Sequence, residues 1–382
     1  MNERLIPMTK RLFRDLGSRQ RPGVRRSSGA FERLVAPGKL QRAGALIRFA
    51  HPAGSLRLSI SAALRFQNAL ALMMIATVVM ASRPAQAQWE QLPPLPEPNG
   101  GFLGGHHNSE IVIVGGTNWE GGKKNWLSGV YTYAPDKRAW SKLHDMPSPM
   151  GYGLGFSHAS DLLLLGGSDG KQTLRTFGHA RAGKLAPQEE LPSTMVLLSG
   201  GVIGEKMIFA GGTDDAANLA GVTRATYSLE KGGLTPLADY PGKPFATAAS
   251  AVAGNELLVF GGMNYDAEAK LPVNTAEAYA FSPEKNVWRK LTPLAAPTRG
   301  LTAVALDESH IYIAGGYRED FTAEAVIYDV KADSYRKALS LPYAAMVGLV
   351  KMGDHVYCLG GEDKKQSRTD KFFRIPVAEL LK

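Results

Sequence analysis

One stretch of the chain concentrates groups that could do chemistry: Gly115-Gly116-Thr117-Asn118-Trp119-Glu120-Gly121-Gly122-Lys123-Lys124-Asn125-Trp126. It holds a carboxylate, two amines and two indoles within a dozen residues. A carboxylate can take up a proton and return it. An ammonium or guanidinium can hold an anionic group, and Arg299, Arg318 and Arg368 add cations to Lys123 and Lys124. An indole can pack on the face of a sugar. Glycine, lysine and asparagine also suit a plain solvated turn, so the composition by itself leaves two readings of this loop. His106-His107 has no partner at metal-ligand spacing, and a strand or turn pair is the simpler account. A single cysteine, Cys358, excludes an internal disulfide framework and a cysteine-rich metal site. No metal and no cofactor are expected.

The elements that must position these groups are repeats. Six Gly-Gly pairs, each after a short apolar run, fall at 115, 166, 211, 261, 315 and 360, with spacings of 51, 45, 50, 54 and 45 residues. A four-residue apolar run predicts a buried strand, and the glycine pair permits a sharp exit at positive φ. A second strand with aromatic residues follows in each unit, as at 130–133, 276–281 and 325–328. Then comes an aromatic anchor: Trp140 with Leu143, Trp288 with Leu291, and Tyr335 in the corresponding place. Four short strands repeating at about 50 residues is the kelch form of β-propeller. The expected fold is therefore all-β: one domain of six blades over residues 88–382. The start of that region, Trp89-Glu90-Gln91-Leu92, matches the anchor pattern, and the last unit lacks its outermost strand. The N-terminal strand is expected to complete the last blade and close the ring.

Charge separates this region from what precedes it. Residues 1–87 carry 15 Lys/Arg and 3 Asp/Glu, a net +12, whereas residues 88–382 carry 29 basic and 32 acidic side chains, a net −3. The repeat region is thus not a nucleic-acid-binding body. A 13-residue apolar run, Ala69–Ala81, lies between Arg65 and the Ala85-Gln86-Ala87 motif. It is short for a bilayer span, and with its basic flank it reads as a signal peptide cleaved after Ala87. The other reading of this run is an uncleaved anchor. Cleavage predicts a periplasmic or secreted protein, free of the membrane.

The repeats as a whole resemble the kelch propellers. The segment from Gly115 to Trp126 is further similar to a narrower subgroup, the N-acetylneuraminate epimerases (sialic acid mutarotases) and their cyclically permuted relatives. Those carry a Gly-Gly-Ala-Asn-like start and a Glu-Gly-x-Lys-Lys run. Ser367-Arg368-Thr369-Asp370 likewise resembles an Arg-Thr-Asp of the epimerases. The resemblance implies a cofactor-independent mutarotase of a sialic-acid-like sugar, with Glu120 as proton acceptor. Asn118, Trp119, Lys123, Lys124, Arg299, Arg318 and Arg368 are then the expected substrate-binding residues. In kelch propellers the loops after each Gly-Gly, and those leading into the innermost strands, open on one face of the ring. That face is the expected site. The loop here is shorter than the family pattern, and Pro149-Met150-Gly151-Tyr152 stands where epimerases read Gly-Arg-Ala-Tyr. A second function class shares the same loops: a non-catalytic propeller that binds a glycan or protein.

Overall fold

The structure, a computed structural model, describes residues 88–382 apart from 159, 160, 182, 188, 189, 231 and 232. The signal-peptide reading falls on residues outside the described ones. The described chain forms six four-stranded antiparallel sheets, the blades of a β-propeller. Their innermost strands are Leu103–His107, Leu154–His158, Ser199–Ile203, Ala249–Ala253, Thr302–Ala305 and Met346–Met352. The second strand of each blade carries the apolar run that precedes Gly-Gly, and its side chains are almost wholly buried. Burial on both faces explains why these runs are continuously apolar instead of alternating.

Both glycines of every pair have positive φ. Space demands glycine as well. A Cβ on Gly115 would lie 2.0 Å from the Met150 carbonyl oxygen, and one on Gly116 would lie 1.9 Å from Asn99 Oδ1. The pair is where one blade's strand end presses against the next blade's backbone.

The aromatic anchors hook neighbouring blades together. Trp140 Nε1 donates to the Pro93 carbonyl at 3.4 Å, and Trp288 Nε1 donates to that of Ala238 at 2.9 Å. The Tyr335 hydroxyl donates to the Thr292 carbonyl at 2.8 Å. Trp89 Nε1 does the same to Ser340 at 2.8 Å. Each hook reaches from one blade to the preceding one, and each ring packs in an aromatic cluster such as Tyr133–Trp140–Phe372. Burying a side chain such as Phe281 or Phe372 contributes about 1.5–3 kcal/mol. Leu143 departs from the anchor pattern and is exposed. The register skips it, pairing Tyr131 with Lys142 and Val130 with His144, so the extra residue of this β-bulge faces out.

Closure follows the expected route. Glu90–Gln91 pairs antiparallel with Phe373–Arg374, so the N-terminal strand is the outer strand of the last blade. Closing the ring with a strand from each end of the propeller region leaves no open blade interface among the described residues. A five-residue helix, Val377–Leu381, follows and packs Leu380 into the adjoining core.

Two blades carry an additional two-stranded hairpin beyond their Gly-Gly. Blade one has Thr117–Glu120 paired with Lys123–Trp126, and blade four has Met263–Asp266 paired with Leu271–Asn274. Blades one and four are three apart in a ring of six, so the hairpins stand on opposite sides of the channel mouth.

Candidate functional site

The site is built where the first and last blades meet. The innermost strands line a channel of about 440 Å³, with small residues such as Gly105, Gly155, Gly201 and Ala251 in its wall. On the Gly-Gly face a further cavity of about 230 Å³, the mouth, is lined in part by Tyr152, Thr247, Glu362 and Arg368. A backbone ladder frames this mouth. The amide of Tyr152 donates to the Gly101 carbonyl, Leu197 to Tyr152, Thr247 to Leu197, and Gly300 to Thr247, at 2.7–3.1 Å. All five residues are left-handed, including the three that are not glycine: Tyr152, Leu197 and Thr247. Non-glycine residues held at positive φ cost about 1–3 kcal/mol each and gather at functional sites.

Arg368 organises the mouth. It comes from the loop between the last two strands of blade six, and its side chain is only 4% exposed. Nη2 donates to the Tyr152 hydroxyl at 2.9 Å and Nε to Thr117 Oγ1 at 3.3 Å. Nη1 pairs with Glu362 at 3.0 Å and donates to the Ser367 carbonyl at 2.6 Å. One guanidinium therefore joins blades six, one and two. Glu362, directly after the sixth Gly-Gly, is the carboxylate that shares this mouth.

Tyr152 receives a second cation. Lys124 Nζ lies 4.5 Å from the centre of its ring and 4.9 Å from that of Trp126. Trp126 meets Tyr152 edge-on at 5.5 Å. Burial alone would raise the Tyr152 phenol. The positive charges of Arg368 and Lys124, with hydrogen bonds shared with Lys124 and Thr117, outweigh it and hold the phenol below the ordinary tyrosine value.

The blade-one hairpin separates its residues by face. Cross-strand partners share a face, and alternate residues switch faces. Thr117 pairs with Trp126 and Trp119 with Lys124, so these four share the face that meets Tyr152 and Arg368. Asn118 pairs with Asn125 and Glu120 with Lys123, so these lie on the other face. Asn118 there donates to Glu97 at 3.1 Å and accepts from Asn125 at 3.0 Å. Glu120 and Lys123 are exposed at the tip, on either side of Gly121-Gly122, both at positive φ. The expected proton acceptor is thus not brought together with Arg368. Trp119 is on the inner face, with its indole N–H buried and without a partner among the described residues.

The remaining expected cations are dispersed. Arg299 lies over the Tyr317 ring at 4.6 Å and donates to Asn274 Oδ1 at 3.1 Å, beside the opposite hairpin. Arg318 pairs with Glu324 at 2.7 Å and bonds Thr298 at 2.9 Å, in a crevice between blades four and five outside the mouth. In blades two and three the residues after Gly-Gly close local turns: Ser168 bonds the Gln172 carbonyl, and Thr213 bonds that of Asn218. Tyr152 and Glu362 were visible in the sequence as loop residues, but nothing in their spacing set them above the rest. Their signals were a place two residues before an innermost strand and a place after a Gly-Gly.

Comparison with known families matches the kelch motif over residues 244–295. The chain is 34% identical over 110 residues to an N-acetylneuraminate epimerase of Haemophilus influenzae, covering 23% of this chain and 29% of that protein. It is 27% identical over 279 residues to mouse Kelch-like protein 35, covering 69% of this chain and 43% of that protein. The chain thus spans less than half the length of these curated relatives. Among solved structures, that of YjhT matches with a TM-score of 0.61 at 14% identity, covering 74% of this chain and 95% of that one, a likeness of fold. Repeat pattern, blade count and the matched motif make the chain a six-bladed propeller of the kelch type, and its partial relatives include N-acetylneuraminate epimerases.

Proposed function

We propose that the protein is a cofactor-independent mutarotase of a carboxylated sugar of the N-acetylneuraminate type, acting at the mouth on the Gly-Gly face. The observation that carries this reading is that Tyr152 and Glu362 are bonded to two terminal nitrogens of one guanidinium, that of Arg368. An acid and a base are thereby presented side by side at one opening. The sequence relationship to epimerases supports the substrate class.

Anomer exchange needs little more. The sugar ring is a hemiketal. A base takes the proton of the anomeric hydroxyl, the bond from the anomeric carbon to the ring oxygen breaks, and an acid protonates that oxygen. The open ketone turns about its carbon–carbon bond and closes on the other face by the reverse transfers. Glu362 serves as base and the Tyr152 hydroxyl as acid, because neighbouring cations favour release of the phenolic proton. Trp126 and Trp119 offer faces for the sugar ring. The cation for the substrate carboxylate on this side is Lys124, because the charge of Arg368 is already balanced by Glu362.

A second reading keeps the pocket and drops the chemistry: a propeller that binds a glycan or protein without turning it over. The position of Glu120 at an exposed tip favours it. One experiment separates the two. Freshly released α-N-acetylneuraminate is followed by proton NMR with and without the protein. Faster approach to the anomeric equilibrium supports the mutarotase. An unchanged rate with line broadening of the sugar leaves the binding module.

A further inference from the structure

The propeller builds one arrangement twice, on opposite sides of the mouth. Trp126 ends the blade-one hairpin, and the next residue, Leu127, donates its amide to the Gly116 carbonyl; Asn274 ends the blade-four hairpin, and Thr275 donates to Gly262. Trp126 and Asn274 are therefore equivalent positions. Each touches the left-handed corner of the next blade: Trp126 meets Tyr152, and Asn274 meets Arg299, the residue before left-handed Gly300. The first corner is the acid–base site. The second has no role in it.

Arg299 is held in place without being neutralised. Its guanidinium stacks on Tyr317, and that ring is braced edge-on by Phe321 at 5.2 Å. The Asn274 amide is fixed in turn, because its Nδ2 donates to the Tyr317 carbonyl at 2.9 Å, leaving Oδ1 for Arg299. Among the described residues no carboxylate pairs with Arg299, whereas Arg368, Arg374, Arg289 and Arg318 each have one. An oriented, partly buried arginine with unpaired N–H donors matches the planar fork of a carboxylate.

We propose that Arg299, with Tyr317 and Asn274, forms a second carboxylate subsite, so that the preferred ligand is an acidic oligosaccharide. Its reducing-end unit lies at Tyr152 and Trp126, and its next carboxylated unit reaches across the mouth to Arg299. The aromatic surfaces at both corners, Trp126 and Tyr317, give each unit a face to pack against. This rests on the sugar-acid reading above.

The test compares affinities of free N-acetylneuraminate and its linked dimer by calorimetry, for the wild-type protein and for Arg299→Gln and Arg299→Lys. The expected result is a dimer preference of about tenfold or more in the wild type, the size of one charge-assisted contact. It is lost in Arg299→Gln and partly kept in Arg299→Lys, with thermal midpoints close to the wild type. Equal affinity for monomer and dimer in the wild type, or a preference that survives in Arg299→Gln, overturns the second subsite while leaving the mutarotase reading intact. Failure of both sugars to bind overturns the two together.

Discussion

The guanidinium of Arg368 donates to the hydroxyl of Tyr152 at 2.9 Å across 216 positions of sequence. Ring closure makes the contact possible, since the last blade lies beside the first. The expected consequence is an ionisation of Tyr152 below the ordinary tyrosine value of about 10. As the general acid it works only while protonated, so mutarotation should decline on the alkaline side as that proton is lost. Tyr152→Phe should lose about a hundredfold or more of the rate, the usual worth of a positioned proton carrier, while sugar affinity changes little. NMR exchange rates across pH check both. A wild-type rate that is flat through the alkaline range, or a Phe variant of full activity, removes Tyr152 from the chemistry.

Gly100 offers a subtler way to move Arg368. A Cβ there would lie 2.4 Å from Arg368 Cδ and 2.7 Å from its Nε. The backbone of Gly100 has no positive φ, so alanine is conformationally acceptable, and the main conflict is with that side chain, with a lesser one at 3.3 Å from the Gly361 carbonyl carbon. Deleting Arg368 outright would strand Glu362, whereas Gly100→Ala displaces the cation without removing it. The expected outcome is an alkaline limb shifted to higher pH, with a lower rate at neutral pH. Ultraviolet titration of the phenols reads the first effect directly. An unmoved titration would mean that Arg368 does not govern Tyr152.

The two carboxylates make opposite predictions. Glu362 is bonded to Arg368 at the mouth, and Glu120 is exposed beside Gly121-Gly122 on the face turned from Tyr152. Glu362→Gln should cost about a hundredfold in rate, and Glu120→Gln should keep most of it. If Glu120→Gln abolishes exchange and Glu362→Gln does not, the hairpin tip carries the base, and the family pattern reads more truly than the geometry of the mouth.

How much of this was legible follows from the range of each interaction. The Gly-Gly pairs and aromatic hooks repeat because each blade meets its neighbour in the same way, so six similar signals reinforce one another in the sequence. The face of Glu120 was not legible. In a two-stranded hairpin a slip of one residue exchanges the faces, and only the register set by the two-glycine tip decides it. Leu143 shows the same limit, since a bulge turned an expected anchor outward. The union of Arg368 with Tyr152 depends on three blades meeting, which no local pattern encodes. Arg318 and Arg299 look alike in sequence, and only the fold separates them, turning Arg318 to Glu324 in the crevice between blades four and five and Arg299 to Asn274 beside the opposite hairpin.

Glu90 provides a test of closure that is independent of the site. Its carboxylate accepts from Arg138 of blade one and Arg374 of blade six, each at 2.6 Å. Hydrogen bonds from these two arginines hold its carboxyl below the ordinary value of 4.5, against a smaller opposing effect of burial. A carboxyl whose pKa is lower in the folded state stabilises fully above its unfolded value, and the contribution vanishes as pH falls through the folded one. Glu90 is 44% exposed, so water screens both pairs and their joint worth is about 1 kcal/mol or less. Glu90→Gln should therefore unfold at a slightly lower urea midpoint than the wild type at pH 7. The gap should narrow below about pH 4.5 and close in stronger acid. A gap that persists at about pH 2 would show that the glutamine perturbs strand pairing in some other way, and that charge at Glu90 does not hold the ring shut.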